Sequence, residues 1–198
     1  ASGNALPLAI NGTSGDDVIT TSELFTGGDG IDTVNSWTSN RLGTGTENLT
    51  LTGGGNINGT GNGASNVIVG NDGNNTLAGL GGADTLTGGL GADTFVFGLD
   101  ATGIATVTDF VSGTDSLGVL ASESAGRLVA GQAVDVVAAA EIANASHAGS
   151  AGYFIFDNSG ADAGMVYWDA TGGNGADATA VIKLAGVSNL LSSDFHVI

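Results

Sequence analysis

Cysteine is absent from this sequence, so neither a disulfide framework nor a thiol nucleophile enters its chemistry. Positive charge is nearly absent: three Lys and Arg stand against 20 Asp and Glu, a formal charge of −17 over 198 residues. Binding to phosphates needs a basic face, which excludes nucleic acid as a partner and an anionic membrane surface with it. No apolar run reaches the roughly 18 residues that a bilayer-spanning helix needs, so no membrane insertion is expected. The opening ASGNALPLAI has neither a charged n-region nor a long apolar h-region, and does not read as a Sec-type signal. The missing initiator Met reads as a fragment or a processed chain. There is no HExxH and no G-x-S-x-G, and the histidines are His147 and His196 alone. Every close acidic pair sits in a glycine-rich turn, where metal binding accounts for it. The chain therefore reads as non-catalytic, any active site of a parent protein lying upstream of residue 1.

What the chain has instead is glycine, 36 of them, and a period. From Gly61 to Val96 it reads GNGASNVIV, GNDGNNTLA, GLGGADTLT, GGLGADTFV. Glycine is first in each unit, Asn or Asp sixth (Asn66, Asn75, Asp84, Asp93) and a large apolar residue eighth (Ile68, Leu77, Leu86, Phe95). A nonapeptide G-G-x-G-x-D-x-U-x with U apolar is the signature of a calcium-loaded parallel β-helix or β-roll. The reading is a six-residue turn followed by a three-residue strand whose apolar residue points inward. Two units make one coil, so Gly61–Asn66 stacks on Gly79–Asp84 and Gly70–Asn75 on Gly88–Asp93. Strands about 4.8 Å apart leave room between two turns for a cation about 2.3–2.6 Å from its oxygen ligands. Backbone carbonyls and carboxylates are hard donors that suit Ca²⁺ rather than zinc or copper. Gly27, Gly79, Gly81, Gly88 and Gly91 let the turns close on the ion. Asn66 and Asn75 make the first two turns of the block the weaker ones, with Asp72 as a partial compensation.

Upstream, residues 1–11 read as a lead-in. GTSGDDVIT (Gly12–Thr20) carries Asp17, and GGDGIDTVN (Gly27–Asn35) carries Asp29 and Asp32 in its turn. Their start points are out of step with a coil of eighteen, which is read as an insertion around Ser22–Thr26. Ser36–Thr60 reads as roll-like coils without full calcium turns, with Leu49, Leu51 and Ile57 inward and Trp37 covering an edge of the core. Downstream, a strand is expected at Ile104–Phe110 and a turn at Ser112–Asp115. Asp100, Asp109 and Asp115 fall where they would close the last calcium positions. Val134–Ala143 has helical character, and three strands follow at Tyr153–Asp157, Met165–Asp169 and Ala180–Ala185. Asp169, Asn174 and Asp177 read as a hairpin turn before a calcium site. Residues 12–120 are thus expected to form the calcium-binding roll with its cap, and 121–198 a C-terminal region.

The turns GGDGIDTV, GLGGADTL and GGLGADTFVF, followed by TVTDFVSGTDSL, resemble the repeats-in-toxin (RTX) family, and within it the C-terminal domain of serralysin-type exoproteins. The segments YFIFD, MVYWDA, VIKLAGV and SSDFHVI resemble the target region of type I secretion substrates of Gram-negative bacteria. The resemblance implies an all-β fold: a right-handed parallel β-roll of nonapeptide repeats with a C-terminal antiparallel β extension and little helix. It implies several Ca²⁺ ions, with Asp17, Asp32, Asp84 and Asp93 as carboxylate ligands and Asp109 and Asp115 as capping ligands. It also implies a secreted, extracellular protein whose partners are calcium and the ABC-type secretion machinery, and which folds on calcium after export. Two other readings stand beside this one. One is a polysaccharide-binding accessory or surface-layer module on the same roll, with Trp37, Tyr167 and Trp168 as the only aromatic platforms. The other is a solenoid that needs no metal.

Overall fold

The computed structural model describes residues 10–99, 103–120, 122, 136–138, 152–170 and 178–198. Asp100, Glu141, His147, Asn174 and Asp177 lie outside them. The chain winds as short strands that alternate between two parallel sheets, most of them preceded by a glycine-rich turn. The first sheet receives β2 (Val18–Thr20), β4 (Thr33–Ser36), β6 (Asn48–Leu51), β8 (Val67–Val69), β10 (Thr85–Thr87) and β12 (Ala105–Val107). The second receives β5 (Asn40–Arg41), β7 (Gly59–Thr60), β9 (Thr76–Ala78), β11 (Thr94–Phe97) and β13 (Ser116–Val119). A two-stranded ledge, β1 (Ile10–Asn11) on β3 (Phe25–Thr26), precedes them.

The eighth residue of each nonapeptide builds the core. Ile68, Leu77, Leu86 and Phe95 are fully buried, and Val34, Leu49, Val107 and Leu117 continue their rows in neighbouring coils. With only three residues per strand, period-two alternation leaves one inward side chain per pass. Each contributes about 1.5–3 kcal/mol by burial. Thr85 pairs with Val67, and Thr94 with Thr76, the eighteen-residue stacking expected of two nonapeptides.

The earlier coils are shorter. Val18 pairs with Thr33, and Thr33 with Asn48; Asp17 and Asp32 lie fifteen residues apart at equivalent places. The stretch Ser22–Thr26 is therefore a contraction of the coil, not an insertion, and both early turns sit on the same edge as Gly61–Asn66 and Gly79–Asp84. Residues 36–60 are roll coils, with Leu49 and Leu51 buried and Ile57 packed against the core. Trp37 departs from expectation: its side chain is 55% exposed and does not cover the core edge.

The C-terminal residues extend both sheets. β14 (Val136–Ala138), β15 (Tyr153–Phe156), β16 (Met165–Asp169) and β17 (Thr179–Leu184) add to the first sheet, with β15, β16 and β17 antiparallel and β17 parallel to β12. The helical character expected over Val134–Ala143 is not realised at Val136–Ala138, where β-branched Val136 and Val137 enter a strand beside β15. The expected strand at Ile104–Phe110 is only Ala105–Val107 long. β18 (Phe195–Val197) returns to the second sheet, parallel to β13. Phe154 joins these pieces: it stacks on Phe195 at 4.6 Å, meets Trp168 at 4.8 Å and meets Phe97 edge-on at 6.1 Å. This aromatic cluster fills the end of the roll.

Candidate metal-binding turns

The turns form two ladders, one leading into each sheet. In the first, Gly12–Asp17, Gly27–Asp32, residues 43–47, Gly61–Asn66 and Gly79–Asp84 stack in order. In the second the order is residues 53–58, Gly70–Asn75, Gly88–Asp93, Asp109–Asp115 and Leu191–Asp194. The sixth residue of each unit is turned into the stack. Asp32, Asn66, Asn75, Asp84 and Asp93 are all at most 2% exposed, and Asp115 is 6% exposed.

Each buried carboxylate ties its coil to the one before. Asp32 Oδ1 accepts the Asp17 amide at 2.8 Å. Asp84 Oδ1 accepts the Asn66 amide, and Asp93 Oδ1 the Asn75 amide, both at 2.8 Å. Asp115 Oδ1 accepts the Asp93 amide at 3.0 Å, and Asp109 takes the amides of Gly88 and Gly89, each at 2.9 Å. Asp109 and Asp115 thus stand on the Gly88–Asp93 turn.

The second oxygen of these carboxylates separates the turns into two kinds. In the first kind it accepts an amide from its own turn: Thr13 bonds Asp17 at 2.6 Å and Val111 bonds Asp115 at 2.8 Å. Asn66 and Asn75 do the same through Oδ1, from Asn62 and Asn71. In the second kind the residue after the first glycine has positive φ, as Leu80 (+73°) and Gly89 (+97°) do, and Gly28 at +159° lies at the edge of that range. That twist turns the amide away: Gly28 bonds Gly45 O and Gly89 bonds Asp109. The fourth residue is left-handed as well, at Gly30, Gly82 and Gly91. Leu80 is the only non-glycine at positive φ among the described residues. A bulky side chain there costs about 1–2 kcal/mol, a strain held by its surroundings.

In these turns the carboxylates of Asp32 and Asp84 keep one oxygen, Oδ2, buried and without a hydrogen-bond partner. Burying such a group unpaired costs several kcal/mol. Each lies against the first glycine of its own turn, where a Cβ at Gly27 would strike Asp32 Oδ2 and Gly45 O, and one at Gly79 would strike Asp84 Oδ2. Asp93 lies against Gly88 in the same manner. The preceding coil faces the gap with carbonyl oxygens: Ala64 O beneath Gly82, Asn71 O beneath Gly89 and Gly73 O beneath Gly91. No three carboxylate, His or Cys side chains converge among the described residues, so a cation held here would take the rest of its donors from backbone carbonyls. An all-oxygen cradle with one buried, unsatisfied carboxylate fits a hard divalent cation.

Burial also pushes the Asp84 carboxyl up to about 6, against the opposing effect of the Asn66 amide. Asp93 is raised by burial too, with the charges of Asp115 and Asp109 adding to it and the Asn75 amide opposing. Among the described residues neither carboxylate has a positively charged partner.

Residues 60–95 match the RTX calcium-binding nonapeptide repeat, in four copies. These residues are an RTX repeat block. The block is a calcium-binding structural module and not a catalytic centre. None of the curated proteins matches the chain. Within the RTX block, the left-handed residues of the third unit are Leu80 and Gly82 rather than Gly81 between them. Asp72 and Asp29 are exposed on the outside of their turns. Among the aromatic residues, Trp168 is buried against Phe154 and offers no platform.

Two functional positions escaped the sequence pattern. Glu47 occupies the carboxylate place in its coil, accepting the Asp32 amide at 2.9 Å through Oε2. Asp194 serves the last coil from one place later in register: it is 2% exposed and accepts Ser112 Oγ at 2.6 Å, Gly113 N at 2.9 Å and Leu191 N at 2.9 Å. The only signal available was SSD directly before an apolar strand, a turn-and-strand unit stripped of its glycines.

Proposed function

We propose that this chain is a calcium-dependent folding module of a secreted protein. Residues 12–120 form the calcium-binding roll with its cap, and 121–198 carry the target signal for an ABC-type (type I) exporter. The supporting observation is the pair of buried, unpartnered oxygens, Asp32 Oδ2 and Asp84 Oδ2, in turns walled by carbonyls. Asp32, Asp84 and Asp93 hold the ions directly, with Asp17, Asp109 and Asp115 bracing the turns above and below.

Where calcium is scarce, a chain of charge −17 repels itself when compact, and its buried carboxylates oppose folding. It stays extended and fit for export. Outside the cell calcium binds only the folded turns, and stabilises them by mass action. At a calcium concentration one hundred times Kd, each ion adds about 2.7 kcal/mol. Any catalytic activity belongs to a domain outside this chain.

Circular dichroism in EGTA with calcium returned in steps tests the folding claim. The expected result is loss of β signal in chelator over the repeat block and its recovery with Ca²⁺ but not with Mg²⁺. A roll fully folded in excess EGTA, with unchanged melting temperature on adding calcium, overturns it.

A further inference from the structure

We propose that the two gaps beneath Gly61–Asn66 and Gly70–Asn75 take no cation, because asparagine amides already occupy the carbonyls that a cation would bind. This rests on the reading of the open turns as calcium sites and divides the repeat block into a metal-independent half and a metal-dependent half.

The hydrogen bonds carry the argument. Asn71 Nδ2 donates to Thr52 O at 3.4 Å and Gly55 O at 3.0 Å, and Asn75 Nδ2 to Ile57 O at 2.7 Å. On the other ladder, Asn62 Nδ2 donates to Gly43 O and Thr46 O, each at 2.8 Å, and Asn66 Nδ2 to Thr46 O at 3.2 Å and Glu47 O at 3.3 Å. In each of these bonds the acceptor belongs to the coil before; Asn75 Nδ2 also donates to Asn71 Oδ1 of its own turn at 2.9 Å. A side-chain NH₂ has two donor hydrogens and no charge. Two per turn satisfy a ring of carbonyls without the desolvation that a charged ligand set brings. Asn71, Asn66 and Asn75 are all buried.

One coil later the same two places are chemically different. The second residue is Leu80 or Gly89 and the sixth is Asp84 or Asp93, none of which carries a side-chain N–H donor. There the carbonyls of Ala64, Asn71 and Gly73 face glycines and a carboxylate, and Asp84 Oδ2 has no partner. The asparagine turns thus look both ways: their amides close the gap behind them, and their carbonyls line the open gap ahead. They are the ledge on which the first ions of the RTX block are laid.

The test is calcium stoichiometry by equilibrium dialysis with metal analysis, on the whole chain. The double substitution Asn71→Gly/Asn75→Asp gives the second unit the chemistry of the fourth, Gly89 and Asp93. It is expected to bind one ion more per chain than the wild type, while Asn75→Ala binds the same number. Asp84→Asn is expected to bind one fewer. An ion lost in Asn75→Ala, or none gained in a folded double variant, overturns the proposal that the asparagine amides staple these coils shut.

A second measurement uses the wild type alone. The side-chain NH₂ resonances of Asn62, Asn66, Asn71 and Asn75 should exchange with solvent at least tenfold more slowly than that of exposed Asn158 in folded protein. Exchange as fast as Asn158 in folded protein overturns the staple even if the ion count agrees. Should the wild type bind no calcium at all, the proposed function fails, and slow exchange of the four amides still upholds the staple.

Discussion

At the scale of single residues, the repeat works by placing a carboxylate where it gains one amide and lacks everything else. Asp84 is the clearest case. Its Oδ1 is bonded to Asn66, its Oδ2 has no partner, and burial raises its carboxyl to about 6 from 3.8. A carboxylate whose folded value lies above its unfolded one keeps its proton longer in the native state. In metal-free protein stability should therefore fall as pH rises from about 4 to about 6, and level off above that, as far as this group is concerned. A shift of about two units corresponds to about 3 kcal/mol. Asp93, raised in the same direction, adds to the trend. Circular dichroism of calcium-stripped protein between pH 4 and 7 checks this: the folded fraction is expected to fall as pH rises, and Asp84→Asn to flatten the slope. Metal-free protein that gains stability across this window contradicts it. Calcium bound at this carboxylate, as proposed, would reverse the trend, because it would supply the positive partner and compete with the proton for the same oxygen.

At the scale of the coil, the glycines matter through what lies beneath them. Gly82 has φ +97°, and a Cβ there would sit 2.5 Å from the carbonyl carbon of Ala64 and 2.7 Å from Ser65 N. Both the twist and the stacking exclude a side chain. Gly82→Ala should cost at least about 2 kcal/mol in a urea melt with calcium present. Gly63→Ala, where a Cβ meets nothing within 4 Å, should stay within about 0.5 kcal/mol of wild type. An equal effect at both positions would mean that stacking is not what the glycine serves. This asymmetry also shows what could be read from sequence. A nine-residue period reports inward apolar residues and stacked turns, so the coils, the sheets and the positions of Asp32, Asp84 and Asp93 were all legible. It does not report which glycine is left-handed, and Leu80 broke the rule that marked Gly81. Nor does it report the contracted coils, because register there depends on turn length rather than on residue type. The strand at Val136–Ala138 was hidden by helix-forming alanines, since pairing with β15 overrides local preference.

At the scale of the molecule, the roll is closed by residues far from it in sequence. β18 docks on β13, Ile198 N bonds Val119 O at 2.9 Å, and Phe195 stacks on Phe154. Asp194 locks this arrangement, since it accepts Ser112 Oγ and Gly113 N from the Asp115 turn while bonding its own turn at Leu191. It stands one place later in register than Asp93 and Asp115, since Phe195 pairs with Leu117 and Leu117 with Phe95, and the last coil is held by carboxylate bonds alone. A hydrogen bond to a charged group contributes about 1.5–3 kcal/mol, and buried donors left bare cost more. Asp194→Ala should therefore destabilise the closing coil by about 3 kcal/mol, read as at least tenfold faster amide exchange at Ile198. The exchange of Leu77 and Leu86, deep in the repeat block, should change little. Asp194→Asn keeps an oxygen for two of the three donors, Ser112 Oγ and Leu191 N, which share Oδ2, and should fall between wild type and alanine. Uniform acceleration across the roll would instead mean that β18 and the repeats unfold as one unit, and unchanged exchange at Ile198 would mean that the aromatic stack alone holds the end.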